Sequence, residues 1–328
     1  MSRPKILLVS LGGTITMTRS AAGGIAPSLS AADLLRAVPG IEAVAEIETA
    51  SPLSMPGASL SIDNVLAVAA MADARFADGV DGIVVIQGTD TIEETAFLLD
   101  LVVRSEKPVV VTGAMRGPEA AGADGPANIL AATIVAALRD AVGLGTLVVL
   151  NDEIHAARFV QKSHTALPSA FTSPLAGPLG SVVEGRARLH LSLPRRPDPI
   201  RCEAGADAPV ALLRMSLGDD GRMLRHVGRL GYRGLVLEGM GAGHVPAAVA
   251  PIVSELVATM PVVLASRVHS GPAFRSTYGF AGSEIDLLGR GAIPAGRLSS
   301  LKARLLLSLL LRSNADRTAI AQACDAYS

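Results

Sequence analysis

Three glycine turns in this chain put small polar residues at the ends of apolar runs. They are Leu11-Gly12-Gly13-Thr14, Gly88-Thr89-Asp90-Thr91 following Val84-Val85-Ile86-Gln87, and Thr112-Gly113-Ala114. A threonine hydroxyl is a weak nucleophile and needs a neighbouring base to take its proton. Glycine lets a backbone approach a ligand closely, and N–H groups freed at a helix start can stabilise an oxyanion. Together these are the parts of a hydroxyl-nucleophile site. One such turn alone reads as a helix start, because Thr and Asp are good caps. Three on one sheet edge favour a site.

The base is sought among the lysines. There are four, Lys5, Lys107, Lys162 and Lys302, against 25 arginines. Where arginine is the habitual cation, a lysine marks a place for a titratable amine. Lys5 starts a strand and Lys107 precedes Pro108 at a surface turn. Lys162 lies in Phe159-Val160-Gln161-Lys162-Ser163-His164-Thr165 and is the candidate. Composition alone favours an ordinary surface cation there. Ser299 and Lys302 match a Ser-x-x-Lys spacing, but Ser299 is better read as a helix cap. The histidines and the two cysteines, Cys202 and Cys324, have no metal or redox spacing, so no metal or other cofactor is expected.

These side chains need elements to hold them. Continuous β-branched runs at 5–10, 82–86, 108–112 and 146–150 predict strands, and 63–76, 92–104 and 127–140 predict helices. That alternation implies a parallel sheet covered on both faces. Thr91 with Glu94 three residues on fits a capping box, making Gly88-Thr89-Asp90 the turn between strand and helix. The proline-rich stretch from Pro194 through Pro209 reads as a linker, which gives domains at 1–193 and 210–328 around a linker at 194–209. Past it, strands are expected at 210–215, 234–238 and 262–266, with helices at 247–260, 299–313 and 316–326.

The chain has 328 residues, 49% hydrophobic and 18% charged, enough for two cores. A formal net charge of -1 and 3% aromatics leave no basic, aromatic-interleaved surface for nucleic acid. The leucine run between Arg304 and Arg312 is too short to span a bilayer, so no membrane contact is expected. Ile6-Leu7-Leu8-Val9 runs directly into Gly12-Gly13 and reads as a strand, not a signal core, so the expected compartment is cytoplasmic.

Taken together, Leu11-Gly12-Gly13-Thr14-Ile15, Gln87-Gly88-Thr89-Asp90-Thr91-Ile92-Glu93-Glu94-Thr95 and Val111-Thr112-Gly113-Ala114-Met115-Arg116 resemble motifs of the bacterial-type L-asparaginase/glutaminase family. Lys162 after Ala157-Arg158, and Tyr278-Gly279-Phe280 onward to Gly296, fit the same resemblance in the same order. It implies an α/β fold: a flavodoxin-like N-terminal parallel-sheet domain plus a smaller C-terminal α/β domain. It implies a homotetramer, a dimer of dimers, with sites at subunit interfaces and a small amino-acid amide as substrate. By position, Thr14 resembles the nucleophile, and Thr89, Asp90 and Lys162 the second catalytic group, with Asp90 also holding the substrate α-ammonium. Gly88 belongs to the same turn, and the N–H groups near Ala114 and Thr89 are oxyanion donors. Glu284 matches the acidic residue that reaches the α-amino group from a neighbouring subunit.

The chain also departs from the family pattern. Residues 17–30 contain no tyrosine, where the family carries an activating one. Gln87 stands where a histidine is usual, and His244 where an asparagine is. The α-carboxylate position falls on Gly57 or Ala58, with Ser59 next to it as a substitute. The expected activity is therefore asparagine deamidation without metal or organic cofactor. The alternatives are a glutaminase, an ammonia-donating amidotransferase subunit, and a non-catalytic amino-acid-binding protein. A start directly at the first strand argues against the amidotransferase subunit. Retention of Thr14, Thr89, Asp90 and Lys162 argues against the binding protein.

Overall fold

The computed structural model describes residues 3–13, 15, 17–19, 25–27, 30–194, 196–202 and 204–327. The chain divides into two compact units, Met1–Pro199 and Ile200–Ser328.

The first unit is built on five parallel strands, Lys5–Ser10, Glu46–Ala50, Gly82–Ile86, Val109–Thr112 and Thr146–Leu150. In space the second lies outside the first, giving the order 2-1-3-4-5 of a flavodoxin-like doubly wound sheet. The central strands read as unbroken apolar runs because both faces are covered. Ile6, Leu8, Val84, Ile86, Val110, Leu147 and Val149 share one core with Ile129, Ala132 and Val135 of the helix Gly125–Ala136. The alternate residues, Leu7, Val9, Ile83, Val85, Val109 and Val111, are equally buried on the other face. The helix Ile92–Val102 packs against the strands Val109–Thr112 and Thr146–Leu150.

The sheet is mixed, whereas the continuous apolar runs predicted parallel strands alone. Asn151 and Asp152, both at positive φ (52° and 60°), form a two-residue turn that folds Glu153–Ala156 back antiparallel to Thr146–Leu150. This is the left-handed pair that hairpins of type I′ require. Glu184 and Gly185 repeat it (φ 52° and 69°) between Gly180–Val183 and Arg186–Leu189. The edge strand Glu46–Ala50 also escaped prediction, because Glu46 and Glu48 give it a polar reading.

The second unit holds a four-stranded parallel sheet, Val210–Arg214, Gly234–Gly239, Val262–Ser266 and Ile293–Pro294, in sequential order. The helix Ser300–Arg312 lies on its first strands, with Leu305, Leu306, Leu307, Leu309, Leu310 and Leu311 buried. Ser299 caps that helix by accepting from the Lys302 N–H, so the Ser-x-x-Lys spacing marks a helix start. At the strand ends Glu238 is buried and receives hydrogen bonds from Ser300 Oγ at 2.7 Å and from the Arg214 guanidinium. Burial pushes its carboxyl up, but the Arg214 and Ser300 hydrogen bonds and the Arg214 charge outweigh this and hold it below the usual glutamate value. A depressed folded-state value means the unfolded chain binds more protons in that range. The contribution is therefore full above the ordinary glutamate value and lost as pH falls through the lowered one. Acid titration of unfolding is expected to lose this component in Glu238→Gln. An unchanged pH profile in that variant would contradict the assignment.

Candidate active site

The strand order reverses between Lys5–Ser10 and Gly82–Ile86, and ligands of such sheets bind at that point, beyond the carboxyl ends. Two of the three glycine turns leave the sheet there. Gly12 and Gly13 adopt φ of 104° and 94°, conformations that exclude ordinary side chains. A Cβ on Gly13 would stand 2.0 Å from Gly88 N, and one on Gly12 2.6 Å from Met55 N. The first turn thus lies directly against both the second turn and the chain at Met55. Thr14, which follows, lies outside the described residues, as do parts of the 17–30 segment.

Thr89 is buried, and Thr89–Thr91 is a short 3-10 turn leading into Ile92–Val102. The expected capping box is absent. Thr91 makes no side-chain cap. Its hydroxyl instead donates to Gly57 O at 3.0 Å and receives the Gln87 Nε2 proton at 3.2 Å. The hydroxyl is oriented by these two tertiary partners, donating to one and accepting from the other, and not by the N–H groups of its own helix. Gln87, where the family pattern has histidine, also donates to Gly88 O at 3.2 Å. Gln87 and Thr91 therefore tie the turn of Gly57, Ala58 and Ser59 to the strand end. Gly57 is buried, while Ala58 and Ser59 are exposed.

Lys162 reaches this turn from the two-residue strand Gln161–Lys162, which pairs with Phe171–Thr172 outside the main sheet. Its Nζ donates to Thr89 Oγ1 at 2.9 Å and to Asp90 Oδ1 at 3.0 Å. The lysine side chain is 17% exposed and that of Asp90 67%. The surface-cation alternative for Lys162 is thereby replaced by a hydroxyl–amine–carboxylate set. Lys107 is not a free surface cation either. Its amine bonds Phe76 O and Val80 O at 3.2 and 2.6 Å, satisfying carbonyls around the end of the helix Ile62–Ala77.

The third turn is fixed by residues that motif reading missed. Asp124 accepts the N–H groups of Met115 and Arg116 at 3.0 and 2.8 Å, and Asn128 Nδ2 donates to Gly113 O at 2.9 Å. Asp124 and Asn128 are four apart at a helix start, the spacing that places them on one face. Between these bonds the N–H of buried Ala114 has no hydrogen-bond partner among the described residues. A Cβ on Gly113 would come within 2.5 Å of Gln87 O, so the third turn lies against the second.

Glu284 is in the second unit and fully buried there. Its Oε1 accepts the N–H groups of Thr277 and Tyr278 at 2.9 and 2.7 Å, and Oε2 lies 3.1 Å from His244 Nε2. Burial raises its carboxyl, but the two backbone bonds and His244 outweigh that and leave it below the usual value. Among the described residues no group of three His, Cys, Asp or Glu could hold a metal ion, and no helix is long and apolar enough to cross a membrane.

An amine bonded to a buried hydroxyl and to a carboxylate can move a proton at that hydroxyl. Its placement at the switch point of a doubly wound sheet defines an α/β protein equipped for hydroxyl-based chemistry on a small ligand.

Comparison with known proteins narrows this class. Residues 5–195 match the family "Asparaginase, N-terminal" and residues 209–323 the "Glutaminase/Asparaginase C-terminal domain". The L-asparaginase of Bacillus licheniformis is 34% identical over 94% of this chain and 96% of its own. A probable L-asparaginase of Deinococcus radiodurans is 36% identical over 96% and 95%. The crystal structure of a probable cytoplasmic L-asparaginase from Campylobacter jejuni superposes with a TM-score of 0.86 at 32% identity, covering 98% of this chain and 99% of that one. The chain belongs to the asparaginase family.

Proposed function

We propose that this chain is an amidohydrolase converting L-asparagine to L-aspartate and ammonia through a threonine acyl-enzyme. The observation that carries this reading is the Lys162 amine, 2.9 Å from the Thr89 hydroxyl and 3.0 Å from the Asp90 carboxylate, at the sheet's switch point. Relatives bearing the name L-asparaginase over nearly their full length support the substrate.

In this reading Thr14 Oγ attacks the side-chain amide carbon and the C–N bond breaks. Ammonia leaves with the proton, and an ester to Thr14 remains. Water then attacks the ester, releasing aspartate and restoring the Thr14 hydroxyl. The Lys162 amine takes the Thr89 proton, so that Thr89 can in turn act as a base. Asp90, largely exposed, holds the substrate α-ammonium with its outer oxygen. The Ala114 N–H, with that of Thr89, stabilises the charge developing on the carbonyl oxygen. Gly57, Ala58, Ser59 and Gly88 form the substrate side of this edge, where the Gln87–Thr91 tether keeps the 57–59 turn in place. Glu284 fixes the turn at Thr277 and Tyr278 in its own unit, and its reach to the substrate α-amino group from a neighbouring subunit belongs to the same proposal.

A homotetramer and cytoplasmic residence belong to the same proposal. The likeness to a probable cytoplasmic L-asparaginase from Campylobacter jejuni supports the second point. The test is ammonia release from asparagine and glutamine, side by side, on the intact chain, with mass by light scattering. Faster release from asparagine is expected. Preference for glutamine would move the assignment to a glutaminase, and tight aspartate binding with no release from either would replace the enzyme by a binding protein.

A further inference from the structure

Lys162 is held at both ends by one five-residue stretch. Its Nζ bonds Thr89 and Asp90, and its backbone N–H donates to Glu93 Oε1 at 3.1 Å. Glu93 is buried, in the first turn of Ile92–Val102. The helix dipole favours a carboxylate there, yet the charge points across to another segment rather than to its own helix N–H groups. That segment needs an anchor. Gln161–Lys162 belongs to a two-residue ladder, with Phe171 opposite Lys162 and Thr172 opposite Gln161, and has no place in the eight-stranded sheet. Ser163 N–H bonds inward to Ala170 O at 2.7 Å, while Lys162 N–H faces outward to Glu93. Val160, Ala170 and Phe171 are buried beside it. A lysine stem has four rotatable carbons, and its amine must meet two acceptors at once. Fixing the backbone from which it springs sets the origin from which the stem must reach both acceptors.

We propose that Glu93 is a positioning residue for the reaction: it anchors the Lys162 backbone so that the amine stays on Thr89 and Asp90. The inference rests on the amidohydrolase reading above and adds a residue to it. The anchor is the acceptor oxygen, not the charge. An amide oxygen at the same position serves equally, and a side chain without an acceptor does not.

The experiment compares Glu93→Ala, Glu93→Gln and the unmodified chain in ammonia release from asparagine and in hydrogen exchange at the Lys162 amide. Misplacing a reacting group by about 1 Å costs on the order of a hundredfold. Glu93→Ala should therefore lower kcat by about tenfold or more, leave KM within about threefold, and speed Lys162 amide exchange. Glu93→Gln should restore both kcat and protection. Where Glu93→Ala does not fold, Glu93→Met, of similar length but with no acceptor, takes its place. Unchanged Lys162 protection and kcat in the variant without an acceptor would overturn the inference while leaving the amidase reading intact. Equal losses in the Gln and Ala variants would also overturn it, since charge would then be the active feature. An unmodified chain that releases no ammonia sinks the amidase reading instead, and the exchange measurement still decides whether Glu93 anchors Lys162.

Discussion

Thr89→Ala is expected to abolish ammonia release from asparagine while the first unit stays folded. Thr89 is buried, and its hydroxyl is one of the two side-chain acceptors of the Lys162 amine. Alanine keeps the Cβ and the turn but removes the atom through which Lys162 acts. The amine keeps Asp90 at 3.0 Å, so no buried cation is orphaned. The folding cost is then that of one lost hydrogen bond, about 1 kcal/mol. The catalytic cost is larger, because loss of a positioned proton-transfer group lowers turnover by roughly two to four orders of magnitude. Thr89→Ser, which keeps the hydroxyl, should recover most of the rate. Coupled ammonia assays with thermal unfolding on the same samples check both halves. Normal turnover in Thr89→Ala would sink the two-threonine mechanism. Thr14→Ala is expected to be equally inactive, since no acyl-enzyme can then form.

Much of this site was legible in the chain because strand ends announce themselves. The runs at 6–9 and 82–86 are continuous and apolar, and a glycine turn follows each within three residues. Lys162 stood out by residue type, but its partners did not, since the two-residue ladder that carries it has no periodicity to read. Thr91 misled because a Thr with Glu three residues on fits a cap and a tertiary contact equally well. The neighbour that decided between them, Gly57, lies 34 residues away. Asp124 and Asn128 hold the third turn through backbone groups of Gly113, Met115 and Arg116, contacts that depend on the fold and not on a local motif. The antiparallel extension was signalled by Asn151-Asp152 and Glu184-Gly185, turn residues whose left-handed φ becomes visible only in the folded backbone.

Gly13→Ala is expected to damage the first unit more than any other single methyl at a glycine with positive φ in open space. Two costs combine. At φ 94° an L side chain is strained, by about 1–3 kcal/mol. The added Cβ would also meet Gly88 N at 2.0 Å and Gly88 Cα at 2.2 Å, both backbone atoms. Neither side can yield easily. Leu11 N–H is bonded to Ile86 O at 2.8 Å and Gln87 N–H to Thr112 O at 3.0 Å, so both turns are fixed to adjacent strands. Gly79 supplies the control: its φ is 97°, but nothing stands within 4 Å of an added Cβ. Gly79→Ala bears the strain alone. The difference between the two variants isolates the close approach of the two turns, and we expect it to exceed about 3 kcal/mol, a further drop in Tm of roughly 6–12 °C. Thermal unfolding of both variants measures it. Equal stability would mean that the two turns can separate without cost, and the close approach of Gly13 to Gly88 would lose its physical basis. A large difference shows that the glycine pair holds the first turn against the Gly88-Thr89 turn.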